Sequence, residues 1–163
     1  MNESGPVVLP APLLFDRTVA EPNLASYTGV SLPIFSGPNV WTGYNNVFRD
    51  RDGVLRRLVP RASETEVSFP LAIAQAHTPD AGAGFEAGES ARIRYTAAPF
   101  SYRMISFADA MTGQYDSEAI AGKIVLVGAV APILQDLQVT PTSRVRMPGV
   151  EVNANIVSQM LSG

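Results

Sequence analysis

The side chains able to do acid–base, nucleophilic or metal chemistry are few and scattered. The chain of 163 residues holds fifteen carboxylates, a single histidine, His77, and no cysteine. Disulfides, thiolate metal sites and cysteine nucleophiles are thereby excluded. A multi-histidine zinc or iron centre has no second histidine to use. Asp50-Arg51-Asp52-Gly53 has the acidic spacing of a calcium loop at first glance. With Gly53 at the sixth position of such a loop, Asp52 and Asp50 fall on ligand positions, but Phe48 stands at the first and Val59 at the twelfth, where a bidentate carboxylate belongs. The stretch reads instead as a tight turn. Gly82 to Ala87 formally fits a dinucleotide fingerprint, but it follows the turn residues Thr78, Pro79 and Asp80 rather than a strand, so it lacks the context that cradles a phosphate. His77 sits where a helix should end, a position the helix dipole favours for histidine. No G-x-S-x-G elbow accompanies it. No catalytic set and no metal or cofactor site is expected.

What remains is a group of polar residues suited to binding. Asp136 follows a short apolar run, Lys123 to Val127, that reads as a strand buried on both faces in a parallel sheet. Ligands of α/β folds commonly sit at the carboxyl ends of such strands. Thr140-Pro141 lies a few residues further on, and Asn153 and Asn155 fall near the start of a final helix. Each of these types also serves as a local cap or turn former, so a purely structural role stands beside the binding one. Asn45, Asn46, Asp52, Arg56, Asp136 and Thr140 are the candidate ligand-facing set. Arg56 and Asp52 could equally form a plain ion pair.

The elements that must position them follow from pattern. Pro148-Gly149 opens a segment to Leu161 whose Val150, Ala154, Val157 and Leu161 recur at helical spacing. Val7 to Leu9 reads as a strand at a sheet edge, because Pro10 cannot donate into a ladder. A loop with a short helix near Asn23 to Tyr27 is expected next. Val40 to Phe48 and Val54 to Val59 flank Asp50-Gly53 as the arms of a β-hairpin. Ser68 predicts the cap of a helix running to His77, with Pro70 in its first turn. Ser106 predicts another, to Met111, closed by Gly113. Ala91 to Tyr95 suits a half-exposed strand. The fold class is therefore α/β: a mixed, mostly parallel central sheet flanked by short helices, with a hairpin around Asp50–Gly53, in one layered domain spanning residues 1–163.

Composition sets the outer limits. Hydrophobic residues make up 46% and charged residues 17%, enough for a core and unlike a disordered chain. A net charge of −3 gives no basic face for nucleic acid. The run Ile124 to Leu134 is broken by Gly128 and Pro132 and falls short of the roughly 20 residues that cross a bilayer. The first residues, MNESGPVVLP, lack the basic and small-residue signature of a signal peptide.

Two segments carry a resemblance. Gly43 to Pro60, GYNNVFRDRDGVLRRLVP, is similar to a G-[FY]-x-N…D-x-D-G-x-x-R-x-x-P pattern. Gly122 to Leu161, with GKIVLVGAVAP, Asp136, Thr140-Pro141 and PGVEVNAN, is similar to a G-K-x-V…G-A-T-A…D…T-P…P-G-V-E-x-H-A-N pattern. Together they resemble the second type of CHASE domain, an extracellular sensory domain associated with cyclases and histidine kinases, over its C-terminal two-thirds. Val130 stands in place of that pattern's Thr and Asn153 in place of its His. The resemblance implies an extracytoplasmic input module of a bacterial receptor, tethered to the membrane through segments outside this chain and truncated at its N-terminal side. Those segments would lead to a nucleotide cyclase, a histidine kinase or a Ser/Thr kinase. The implied partner is a small-molecule or protein signal, with homodimer formation as a further option. A dimerisation module without ligand sensing and an α/β enzyme are the alternative readings.

Overall fold

The computed structural model describes residues 5–11, 13–15, 27–29, 38–134 and 136–162. The helix expected near residues 23 to 27 lies outside them, except that Tyr27 opens a strand. The elements, in order, are β1 (Val7–Ala11), β2 (Leu13–Phe15), β3 (Tyr27–Gly29), β4 (Val40–Tyr44), β5 (Arg57–Leu58), α1 (Phe69–His77), β6 (Ala91–Arg92), α2 (Phe107–Thr112), β7 (Leu137–Gln138), β8 (Met147–Pro148) and α3 (Gly149–Ser162). Among these residues no helix is long and apolar enough to cross a membrane.

Capping chemistry decides the helices. The Ser68 hydroxyl accepts the Leu71 amide at 3.4 Å, Pro70 occupies the first turn where no intrahelical donor is needed, and α1 ends as Thr78 N donates to Ala74 O. Ser106 likewise accepts from Asp109 N at 3.0 Å, and Gly113 closes α2 at φ +71°, the left-handed conformation that favours glycine. Helix α3 begins at Gly149, as its pattern predicts.

The sheet differs from expectation. The described strands form two-stranded pairs: β1 with β4, parallel; and β2 with β3, β5 with β6 and β7 with β8, all antiparallel. A large, mostly parallel central sheet is not present among them; parallel pairing is confined to β1–β4 and a single bridge between Tyr44 and Ser68. The turn at Asp50–Gly53 forms, with Asp50 N to Val54 O at 3.0 Å and Gly53 at φ +78°, but the flanking strands do not pair as a hairpin. Strand β4 has both edges engaged, by β1 on one side and by the Tyr44 N to Val67 O bond on the other. Strand β5 turns to β6 instead. The run Lys123–Val127, expected as a buried central strand, has no regular secondary structure and no strand partner among the described residues, and Val127 is 80% exposed.

The core sits between α1 and α3. Leu71 and Ala74 of α1 meet Val152, Ile156 and Met160 of α3, with Leu55, Ile93 and Met147 filling the space between. Spacing of four along α3 puts its three core residues on one stripe. Helix α1 also covers one face of β1–β4. Trp41 and Val7 of that pair remain exposed.

Candidate functional site

Three of the sequence-designated residues gather round the first turns of α3. The parallel strands β1 and β4 run side by side to Ala11 and Tyr44, and the chain leaves β4 through Asn45 and Asn46. Asn45 N donates to Ala11 O at 3.1 Å, tying the two carboxyl ends together. The side chain of Asn45 accepts from Asn153 Nδ2 of α3 at 3.3 Å. One turn earlier on α3, Gly149 N donates to the Asp136 carbonyl at 2.9 Å, and the Asp136 carboxylate lies so close over Gly149 that any Cβ there would overlap it. A carboxylate beside a helix N-terminus is where the macrodipole favours negative charge. Gln138 Nε2 reaches Asp136 Oδ1 at 3.3 Å, and Arg49 Nη2 donates to Gln138 Oε1 at 2.7 Å. The result is a polar rim of Asn45, Asn153, Asp136 and Arg49, the last two linked through the buried Gln138, with Asn46 next to Asn45 in the chain.

An open depression of about 340 Å³ lies against Pro10, Ala11, Asn45 and Asn46, at the low end of the range small-ligand sites occupy. Behind it, a narrower cleft between Tyr44, Phe48, Leu55, Val152 and Ile156 offers about 40 Å³, room for two or three waters. Tyr44 forms its wall. The hydroxyl donates to Val59 O, and burial, followed by the nearby Glu66 charge, raises its pKa. It stays a neutral donor.

Asp52 and Arg56 do not join this rim. Arg56 bonds Asp52 through both guanidinium nitrogens, at 2.9 and 2.8 Å, and Asp50 Oδ2 at 2.8 Å. Val54 N adds a bond to Asp52 Oδ1 at 3.1 Å. These contacts staple the tight turn, which realises the ion-pair alternative. The Arg56 hydrogen bond, with the Val54 amide second, holds the Asp52 carboxyl down to about 2. A depressed carboxylate stabilises the fold above its unfolded pKa near 3.9 and loses that contribution as pH falls through about 2. Asp52→Asn is therefore expected to lower the melting midpoint slightly at pH 7, and the gap from the native chain should close between pH 4 and pH 2. The pair is solvent-accessible, so added salt should shrink the gap as well. An unchanged gap across that range would show that the carboxylate has no part in it.

Thr140 is apart from both groups. It is buried, its Oγ1 has no hydrogen-bond partner among the described residues, and the preceding Val139 carbonyl accepts from Leu55 N at 2.8 Å. That placement is inside the fold rather than on the rim.

A second polar set was not singled out from sequence as a unit. Glu151, Asn155 and Gln159 recur every four residues on α3, next to its core stripe. Gln159 Oε1 accepts from Arg94 N at 2.7 Å and its Nε2 donates to Arg92 O at 3.0 Å. Asn155 Oδ1 accepts from Thr96 N at 3.0 Å and Ala97 N at 3.3 Å. Glu151 Oε2 accepts from Phe100 N at 2.7 Å. The three side chains clasp the main chain of residues 92–100. Phe100 sits at φ +62°, sparsely populated for a non-glycine residue, while its amide is held by the Glu151 carboxylate. The E-x-x-x-N-x-x-x-Q spacing was the available signal; its partner is backbone, which carries no side-chain signature. Asn153 and Asn155 thus differ in role, the first on the rim and the second buried in the clasp. Tyr102 lies close enough to Glu151 that burial first, and that charge second, raise its pKa.

No curated protein and no solved structure matches the chain. A family model does, the CHASE2 domain, and it spans residues 5–163, essentially the whole chain. The chain belongs to the CHASE2 family, whose members are extracellular, non-catalytic sensory domains of signalling receptors.

Proposed function

We propose that this domain is the ligand-sensing input of a bacterial transmembrane receptor whose output is a nucleotide cyclase, a histidine kinase or a Ser/Thr kinase. In this reading it works outside the cytoplasm, tethered through membrane segments beyond this chain. The observation that supports it most is the meeting of Asn45, Asn46 and Asp136 round the start of α3, at the carboxyl ends of two parallel strands, beside an open depression. Amide side chains with a carboxylate suit a small polar ligand carrying hydrogen-bond donors. Asp52, Arg56 and Thr140 act in the scaffold rather than on the ligand. Sensing requires a ligand that binds two states of the domain with different affinity, and α3, which touches the rim at Asn153 and Gly149, is the element that would carry the change.

The test is a thermal-shift screen of the chain against amino acids, small organic acids, sugars and inorganic ions. A ligand at about 100 times its dissociation constant adds about 2.7 kcal/mol, which is about 5–11 °C for a domain of this size. Asp136→Ala should abolish that shift. A second reading is favoured by a separate observation. Large apolar side chains, among them Phe107, Met111, Val125, Val127, Ile133 and Leu134, are exposed between residues 100 and 134, and contiguous apolar surface marks interaction sites. No shift with any compound, together with a midpoint that rises with protein concentration, would replace sensing by a dimerisation role.

A further inference from the structure

We propose that Lys123–Val127 docks as a third parallel strand on the edge of β1 that no described strand occupies, and that the arrangement described above is the undocked state. The segment is incomplete by its own chemistry. Ile124, Val125, Leu126 and Val127 form the continuous apolar run, three of the four β-branched, of a strand covered on both faces. Between Lys123 N, bonded to Ile120 O, and Leu134 N, bonded to Ala131 O, no backbone hydrogen bond forms among the described residues. An apolar stretch whose amides and carbonyls have no backbone partner among the described residues is a template for sheet pairing.

The edge it needs is on the same chain. Val7 N donates to Asn39 O and Asn45 N to Ala11 O, so residues 7, 9 and 11 of β1 direct their polar groups toward β4. The alternate residues 8 and 10 face the other side, where no described strand lies. Val8 offers that side a donor and an acceptor. Pro10 offers an acceptor only, which a ladder tolerates at a single position.

Direction and place agree. Parallel pairing requires the downstream end of the segment to lie at the carboxyl end of β1. Gly128, which follows the segment, lies flat on Val150 of α3, where a Cβ would be 2.6 Å from Val150 Cβ. Val150 is one turn before Asn153, which bonds Asn45, whose amide in turn bonds Ala11 at the end of β1. The two ends thus converge on one turn of α3. Docking would also set the loop from Ala129 to Asp136 against Asn45 and Asn46. A ligand joining Asp136 to those amides would then favour one of the two positions. That coupling rests on the sensing reading; the docking itself does not.

The native chain lacks cysteine, which makes the test direct. Val8→Cys is combined in turn with Ile124→Cys, Val125→Cys, Leu126→Cys and Val127→Cys, oxidised, and the products are weighed intact. Neighbouring strands about 4.8 Å apart fall within the Cα separations a disulfide spans. The expected result is an intramolecular disulfide in a monomer, concentrated at one register. Hydrogen exchange on the unsubstituted chain provides the measurement free of mutation. Amides of Val8 and of two alternate residues in 124–127 should exchange at least about tenfold more slowly than free chain. Free-chain exchange at all of them with no cross-link at any register overturns the proposal. So does a cross-link found only between two molecules, which would assign the segment to a second copy. A thermal-shift screen can fail while the cross-link forms, so the docking and the sensing are separable.

Discussion

Asn155→Ala is expected to unfold about 6–12 °C below the native chain. The residue is 1% exposed, accepts two backbone amides through Oδ1, and donates through Nδ2 to the Glu151 carbonyl at 2.8 Å. Alanine leaves the Thr96 and Ala97 amides facing a helix with no acceptor. Each buried polar group stranded this way costs about 1–3 kcal/mol. With both bonds only part-buried and the second longer, a total near 3 kcal/mol is the expectation, which converts to the stated interval at roughly 2–4 °C per kcal/mol. Asn155→Leu separates hydrogen bonding from volume. It refills the space and supplies no acceptor, so it should be about as unstable as alanine. Recovery with leucine would show that Asn155 is there for packing, and would remove the clasp from the account of why α3 and residues 92–100 stay together. Hydrogen exchange at Thr96 and Ala97 should accelerate in both variants.

Gly43→Ala is expected to cost about 3 kcal/mol or more, measured as a lower denaturant midpoint with an unchanged slope. A Cβ on Gly43 would lie 2.6 Å from Phe69 Cα, 2.7 Å from Phe69 N and 2.8 Å from Ser68 O. All three are main-chain atoms at the start of α1, so no rotamer change relieves the overlap. Strand β4 and helix α1 must separate, and that strains the Ser68 cap and the Tyr44 bond to Val67 together. Gly84 is the control. Nothing lies within 4 Å of its would-be Cβ and its φ is not positive, so Gly84→Ala should stay within about 0.5 kcal/mol of the native chain. Equal effects at the two positions would mean that β4 and α1 do not approach as described.

The parts of this molecule that were legible in sequence are those whose determinants are local. Ser68 with Pro70, and Ser106 with Gly113, specify both ends of their helices within one or two turns, and the structure places both there. Pro10 marked an edge because its missing donor is a property of the residue itself. The strand pairings were not legible, because a strand's partner is chosen by the whole chain. Val40–Phe48 and Val54–Val59 carried hairpin signals, yet β4 was claimed by β1 from more than thirty residues upstream. The site divides on the same principle. Asp52 and Arg56, four residues apart, satisfy each other, as their spacing allowed. Asp136 was named for its position after a strand, while Asn45 and Asn46 fell inside an expected one, and α3 brings them near one another across some ninety residues of chain. Thr140 carried the same polar signal and lies inside. The clasp was the least legible, since Thr96, Ala97 and Phe100 contribute only their amides.

That clasp has a mechanical consequence. Its three side chains are about 6 Å apart along the helix axis, and they hold Arg92–Arg94, Thr96–Ala97 and Phe100 in reverse chain order. Helix and strap are thus two antiparallel rails locked at matching intervals, like a rack with a fixed pitch. Sliding α3 along its axis would break every tooth at once, and no new register is restored until a full interval has passed. Tilting or rolling the pair as a unit breaks none. A load applied to either end of α3 is therefore delivered as rotation of a stiff two-rail beam rather than as a piston stroke, and the strained turn at Phe100 is the joint about which that beam would swing.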